Sequence, residues 1–260
     1  MRFFDSCYIY LLEYVQWRGA CDMAGHSKWN NIKRRKEAQD TKRAKVFTKI
    51  TKEIFASVRA AGDDPDTNLR LRQAIQKAKA ANLPADNIER TIKKAAGNQE
   101  DVTYYELTYE GYGPGGAAIF VQVLTDNKNR VVADLRHAFS RNGGNLGEDG
   151  CVAFLFQDVG ILEIAANSGE EEEVMLDAIE AGASEFELVD DQYMITTEPK
   201  HIEAVKLALE AAGYKVSNSH LAKIPLTTTT LDEEQWVMMD QLIDRLEDND
   251  DVQNVYYNAD

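Results

Sequence analysis

A break at Asn98-Gln99-Glu100-Asp101 separates two kinds of pattern in this chain. Before it, apolar residues recur every three or four positions, the spacing of helices that bury one face. After it, short apolar runs alternate with helical stretches, as expected where strands and helices share a core. A chain of 260 residues is long enough for two or three units, each with its own core. The break therefore predicts an α+β protein, with an N-terminal three-helix domain followed by two α/β domains.

Charge changes sign at the same place. Residues 23–97 carry 18 Lys and Arg against 8 Asp and Glu, a net of +10, whereas residues 98–260 carry 9 against 33, a net of −24. Residues 1–22 add −1, so the whole chain stands at −15. The average argues against a nucleic-acid partner, but the distribution places one on the basic side. No apolar run approaches the length of a membrane span, so no membrane partner is expected. Cys7, Cys21 and Cys151 form no C-x-x-C pair and fit reduced thiols in a cytoplasmic protein. Residues 1–22 fail as a signal peptide because Asp5 and Glu13 interrupt the apolar stretch, and they read as a doubtful N-terminal extension before Met23.

The basic domain, expected over 23–98, opens with Lys28, Trp29, Lys33, Arg34, Arg35 and Lys36. Five cations and an indole in so short a stretch suit phosphate contacts and base stacking. Asp40 caps an expected helix over 41–61, with Phe47, Ile50, Ile54, Val58 and Ala61 forming an apolar stripe. Lys42, Lys45, Lys49 and Lys52 fall on the opposite face as a cationic ridge, with Arg43 beside it. A second helix over 67–81 turns Leu71, Ala74, Ile75 and Ala78 inward and carries Arg70, Arg72, Lys77 and Lys79. A third starts after Pro84 and ends at Gly97. The residues named from Lys28 to Lys36 in the arm, together with Lys42, Arg43, Lys45, Lys49 and Lys52, are the candidate nucleic-acid contacts.

The acidic part begins with strands over 104–112 and 117–124, joined by Gly113-Pro114-Gly115-Gly116. That link lacks the spacing of a phosphate loop and joins strand to strand, so it reads as a hairpin turn. A helix capped by Asn127 or Asn129 follows, then Gly143-Gly144-Asn145-Leu146-Gly147 and a strand over 151–156 that buries Cys151. From Val159 the order is βαββαβ, the ferredoxin-like arrangement. A helix over 233–246 and a strand over 252–257 then complete the unit begun at Tyr104. The expected domains are 99–157 plus 228–260, with the ferredoxin-like domain, 158–227, inserted.

Nothing in the chain assembles a catalytic or metal-binding set. His26, His137, His201 and His220 are far apart and form no ligand motif. Glu170 to Glu173 suit the positive end of a helix, and Asp248, Asp250 and Asp251 lack the spacing of a calcium loop. No enzyme activity, cofactor or small-molecule substrate is expected.

Three motifs carry a resemblance: Met23-Ala24-Gly25-His26-Ser27-Lys28-Trp29-Asn30-Asn31-Ile32-Lys33, Tyr109-Glu110-Gly111-Tyr112-Gly113-Pro114-Gly115-Gly116 and Gly143-Gly144-Asn145-Leu146-Gly147. With these the chain resembles the YebC/PmpR family from Met23 to its C-terminus. The resemblance implies a three-domain fold, the third domain inserted in the second, and a cytoplasmic transcriptional regulator that binds DNA. It also implies a link to translation, through related mitochondrial members, and it carries over no catalytic residue. The expected function is thus a non-enzymatic regulatory protein binding DNA through its basic domain. One alternative is a ribosome-associated factor contacting ribosomal RNA. The other is an interaction module whose basic part docks on an acidic partner or on its own acidic domains.

Overall fold

The structure, a computed structural model, describes residues 43–97 and 102–260. The expected cap Asp40 lies outside them. Two compact units result: Phe154–Thr227, and the described residues up to Ala153 together with Thr228–Asp260.

In the first unit the helices are α1 (Arg43–Ala61), α2 (Leu69–Ala80) and α3 (Ala85–Ala96). Ile50, Ile54 and Val58 of α1 are buried with Leu71, Ala74 and Ala78 of α2 and Ile88 and Ala95 of α3. Two details differ from the expected stripe. Ala61 is exposed at the end of the helix, and Phe55 is buried instead, edge-to-face with Tyr104 at 5.6 Å. The second helix starts at Leu69 because the buried Asn68 caps it. Its Oδ1 accepts from Leu71 N, while its Nδ2 donates to the carbonyls of Ser57 and Gly62 at 2.8 and 2.7 Å. One side chain thus ties the end of α1 to the start of α2.

The chain continues as β1 (Tyr105–Tyr112), β2 (Ala118–Thr125), α4 (Lys128–Arg141) and the short β3 (Asn145–Leu146), and returns after the insertion as α7 (Glu233–Glu247) and β8 (Val252–Tyr257). The strands form an antiparallel sheet in the order β3-β1-β2-β8. Alternate residues of β2, Ile119, Val121 and Val123, meet Val131, Leu135 and Phe139 of α4 and Met239, Leu242 and Leu246 of α7. The core therefore lies on one face of the sheet, under two helices. Gly111 is required by this packing, since a Cβ there would sit 2.8 Å from the Phe139 ring and 2.5 Å from the Asn145 carbonyl. Asn127 caps α4, and a capping box from Asp232 and Gln235 opens α7.

The expected strand over 151–156 is not formed. A turn at Gly150 and a 3-10 turn (Ala153–Leu155) take its place, and β4 starts at Phe156. The reason is Glu110, a buried carboxylate on β1. It accepts from the backbone N–H groups of Gly150, Val152 and Ala153 at 2.9, 2.6 and 2.8 Å. Amides gathered on one carboxylate cannot also form a ladder. Cys151 consequently lies half-buried in the turn rather than in a core strand.

The second unit runs β4 (Phe156–Ala165), α5 (Glu171–Ala181), β5 (Glu185–Val189), β6 (Gln192–Thr197), α6 (Ile202–Ala211) and β7 (Val216–Pro225). All pairings are antiparallel, in the order β5-β6-β4-β7, the ferredoxin-like arrangement. Val174 and Ala178 of α5 and Val205 and Leu209 of α6 close its core over Leu162, Ile164, Tyr193 and Ile195. The fold is thus α+β, with a helical segment first and a ferredoxin-like unit inserted in the chain of the other sheet.

Two outcomes follow from these interactions. Glu110→Ala orphans three amides and lowers stability by about 3 kcal/mol in urea unfolding, with Glu110→Gln costing less because one amide oxygen remains. In the second unit the Asp177 carboxylate accepts the Tyr214 hydroxyl at 2.6 Å, and this bond pushes Tyr214 up to about 12. Its stabilisation is complete below the unfolded value of about 10 and is lost as pH rises through the folded value. Alkaline titration of tyrosine absorbance then shows a late-titrating component that Tyr214→Phe removes.

Candidate nucleic-acid interface

Of the expected contacts, Lys28, Trp29, Lys33, Arg34, Arg35, Lys36 and Lys42 lie outside the described residues, and Arg43 opens α1. Lys45, Lys49 and Lys52 stand on the face of α1 turned away from Ile50, Ile54 and Val58, as the helical period requires. All three meet the C-terminal end of α7. Lys45 Nζ lies 3.1 Å from both the carbonyl and the carboxylate of Asp248. Lys49 Nζ donates to the Glu247 carbonyl at 2.7 Å. Lys52 Nζ donates to the Asp250 carbonyl at 2.9 Å and to Asp251 Oδ1 at 2.7 Å.

The chemistry of a helix end explains the match. The last carbonyls of a helix lack internal partners and carry the negative end of its dipole, so they attract ammonium groups. At the end of α7 and in the turn just after it the sequence adds Glu247, Asp248, Asp250 and Asp251, which strengthens the pull. A further ion pair, Arg70 of α2 with Glu106 of β1, joins the same two segments. In each of these ion pairs the cation comes from the helical segment and the anion from the α/β part. Next to the Arg70–Glu106 pair, a pocket of about 320 Å³ is lined by Glu53, Lys77, Thr108 and Gln122 among others. Its charges are already joined, Lys77 to Glu53 at 2.8 Å.

Asp251 is the centre of this junction. Its side chain is 4% exposed. Oδ1 receives Lys52, and Oδ2 receives Arg130 Nη2 at 2.6 Å and the Thr125 hydroxyl at 3.1 Å. Arg130 also holds Asp126 at 2.7 Å. Burial pushes the Asp251 carboxyl up, but the hydrogen bonds from Lys52 and then Arg130 outweigh it and hold it below its ordinary value. Bonds to Asp251 and then to Asp126 raise the pKa of Arg130.

Helical spacing alone does not single out the partners of the lysines. A signal for them exists: four carboxylates at the C-terminal end of a helix oppose its dipole and require cations from elsewhere. Cys151, for its part, has its thiol pushed up by burial and then by the Glu110 charge, which keeps it protonated and poorly nucleophilic. Among the described residues no group of three or more His, Cys, Asp or Glu side chains is arranged to hold a metal ion, and no helix is long and apolar enough to cross a membrane.

Comparison with known proteins agrees with this architecture. Residues 27–98 match the model of the TACO1/YebC protein N-terminal domain, and residues 104–259 match that of the TACO1/YebC second and third domain. A "Probable transcriptional regulatory protein" of Geobacillus thermodenitrificans is 55% identical over 240 residues, covering 92% of this chain and 97% of the relative. "Probable transcriptional regulatory protein YrbC" of Bacillus subtilis is 51% identical, covering 91% and 99%. The crystal structure of a conserved hypothetical protein from Aquifex aeolicus aligns with a TM-score of 0.77 at 41% identity, covering 85% of this chain and 91% of that one.

Because the Asp251 carboxyl is depressed, its contribution is complete above the ordinary carboxylate range and is lost as pH falls through the folded value. Asp251→Asn is accordingly destabilised by about 2 kcal/mol at neutral pH, less than for a fully buried pair because Arg130 reaches solvent. In urea unfolding followed from pH 7 to pH 3, the gap between variant and wild type closes on the acid side.

Proposed function

The chain belongs to the TACO1/YebC family, and on that basis we propose that it is a DNA-binding transcriptional regulator that works through its basic N-terminal domain. The observation that carries this reading is the charge segregation. An excess of ten cations is confined to residues 23–97 in a chain that is otherwise strongly acidic. Such a field orients the basic end toward phosphates and turns the acidic units away from them. The names of the relatives, probable transcriptional regulatory proteins, support the regulatory role.

The arm from Lys28 to Lys36 supplies phosphate contacts, with Trp29 as a stacking surface, and the lysines of α1 extend the row. Cations of this kind fix position on a duplex without reading bases. No step of the function calls on a catalytic residue, a cofactor or a metal ion.

Two measurements test the reading with the full chain. Affinity for duplex DNA falls steeply with log[salt]. Replacing Lys33, Arg34, Arg35 and Lys36 by Ala makes the slope shallower by about 0.9 for each phosphate that is no longer neutralised. An affinity indifferent to salt overturns the proposal. Crosslinking in cells, followed by sequencing of bound DNA and RNA, recovers promoter DNA; recovery of ribosomal RNA instead moves the site of action to the ribosome.

A further inference from the structure

We propose that the end of α7 is an internal stand-in for a nucleic-acid backbone, and that nucleic acid and this helix end compete for the lysines of α1. The inference rests on the nucleic-acid reading above and adds a closed state to it. Lys45, Lys49 and Lys52 are not free in the structure: polar interactions of 2.7 to 3.1 Å commit their ammonium groups to Glu247, Asp248, Asp250 and Asp251. Three carbonyl dipoles and two carboxylates offer ammonium groups what a phosphate backbone also offers, a cluster of oxygen acceptors with net negative charge. A duplex can take these lysines only by displacing that cluster.

The junction is built to open. The apolar core of the three helices is a cluster separate from the core under the sheet. The ionic groups, with Phe55 on Tyr104, hold the helical segment to the α/β part. That segment precedes β1 in the chain, so releasing it unzips no strand. The junction is also graded. The Lys45–Asp248 pair is 39% and 45% exposed, and the Lys52–Asp251 pair only 17% and 4%. Exposed pairs are weak and easily screened, so the Lys45 end gives way first and Asp251 is released last.

Asp248→Lys sets a cation against Lys45 at an exposed position and weakens the closed state without touching the Asp251 centre. Glu234→Lys, the same charge change at the other end of α7, is the control. With the full chain and a fluorescent duplex of about 30 base pairs, Asp248→Lys binds about five-fold more tightly than Glu234→Lys. In wild-type protein a carbodiimide joins Lys45 Nζ to the Asp248 carboxyl as an amide with loss of water, the carbodiimide taking up that water as a urea. Mass spectrometry then reports the closed state, and saturating duplex lowers this product about five-fold. Equal affinities of the two variants, or a product unchanged at saturation, overturn the competition while the binding itself stands. Absence of duplex binding by wild type and by Asp248→Lys alike overturns the nucleic-acid reading, and the competition with it.

Discussion

The Asp251 carboxylate is the group on which the arrangement of the first unit depends. It sits in the turn between α7 and β8, almost without solvent, and two cations from different segments hold it there. Lys52 brings the three-helix segment, and Arg130 brings the start of α4. Through one buried anion, chain segments from before and after the insertion are therefore held in register. A buried carboxylate is tolerable only when paired and hydrogen-bonded, and Asp251 has both conditions met. The opposite signs of the basic and acidic parts of the chain are used here first, inside the molecule.

Glu110 does comparable work on β1. A buried carboxylate with three backbone donors shapes the turn around Gly150 and sets where β4 can begin. Each anion gathers chain segments that are remote in sequence. Polar groups in this fold define geometry, while the apolar clusters beneath α4 and α7 and beneath α5 and α6 supply the burial.

What was legible in the sequence was periodic. The stripe of Ile50, Ile54 and Val58, the alternation of Ile119, Val121 and Val123, and the βαββαβ order from Val159 onward all appear in the structure. The structure departs from local pattern where one polar side chain overrides it. Asn68 moved a helix start, and Glu110 removed the strand expected from Cys151 to Phe156. The candidate interface was half legible for the same reason. Helical spacing put Lys45, Lys49 and Lys52 on one face, but no period links them to Asp248 or Asp251. Those pairings depend on a chain that returns to its first sheet after the insertion, and only the misplaced acidity at the end of α7 hinted at them.

The insertion also has a consequence for synthesis. Lys45 and Asp248 are 203 positions apart, and Lys52 and Asp251 are 199 apart, with the whole ferredoxin-like unit between them. A growing chain therefore displays its lysine row long before these counter-charges emerge, and β8 joins its sheet only after the whole insertion has been made. Until then the nascent chain carries its cationic helices and the inserted unit with a sheet that lacks one of its four strands. The finished molecule and its own precursor thus present different electrostatic faces, and closure of the last strand is the event that converts one into the other.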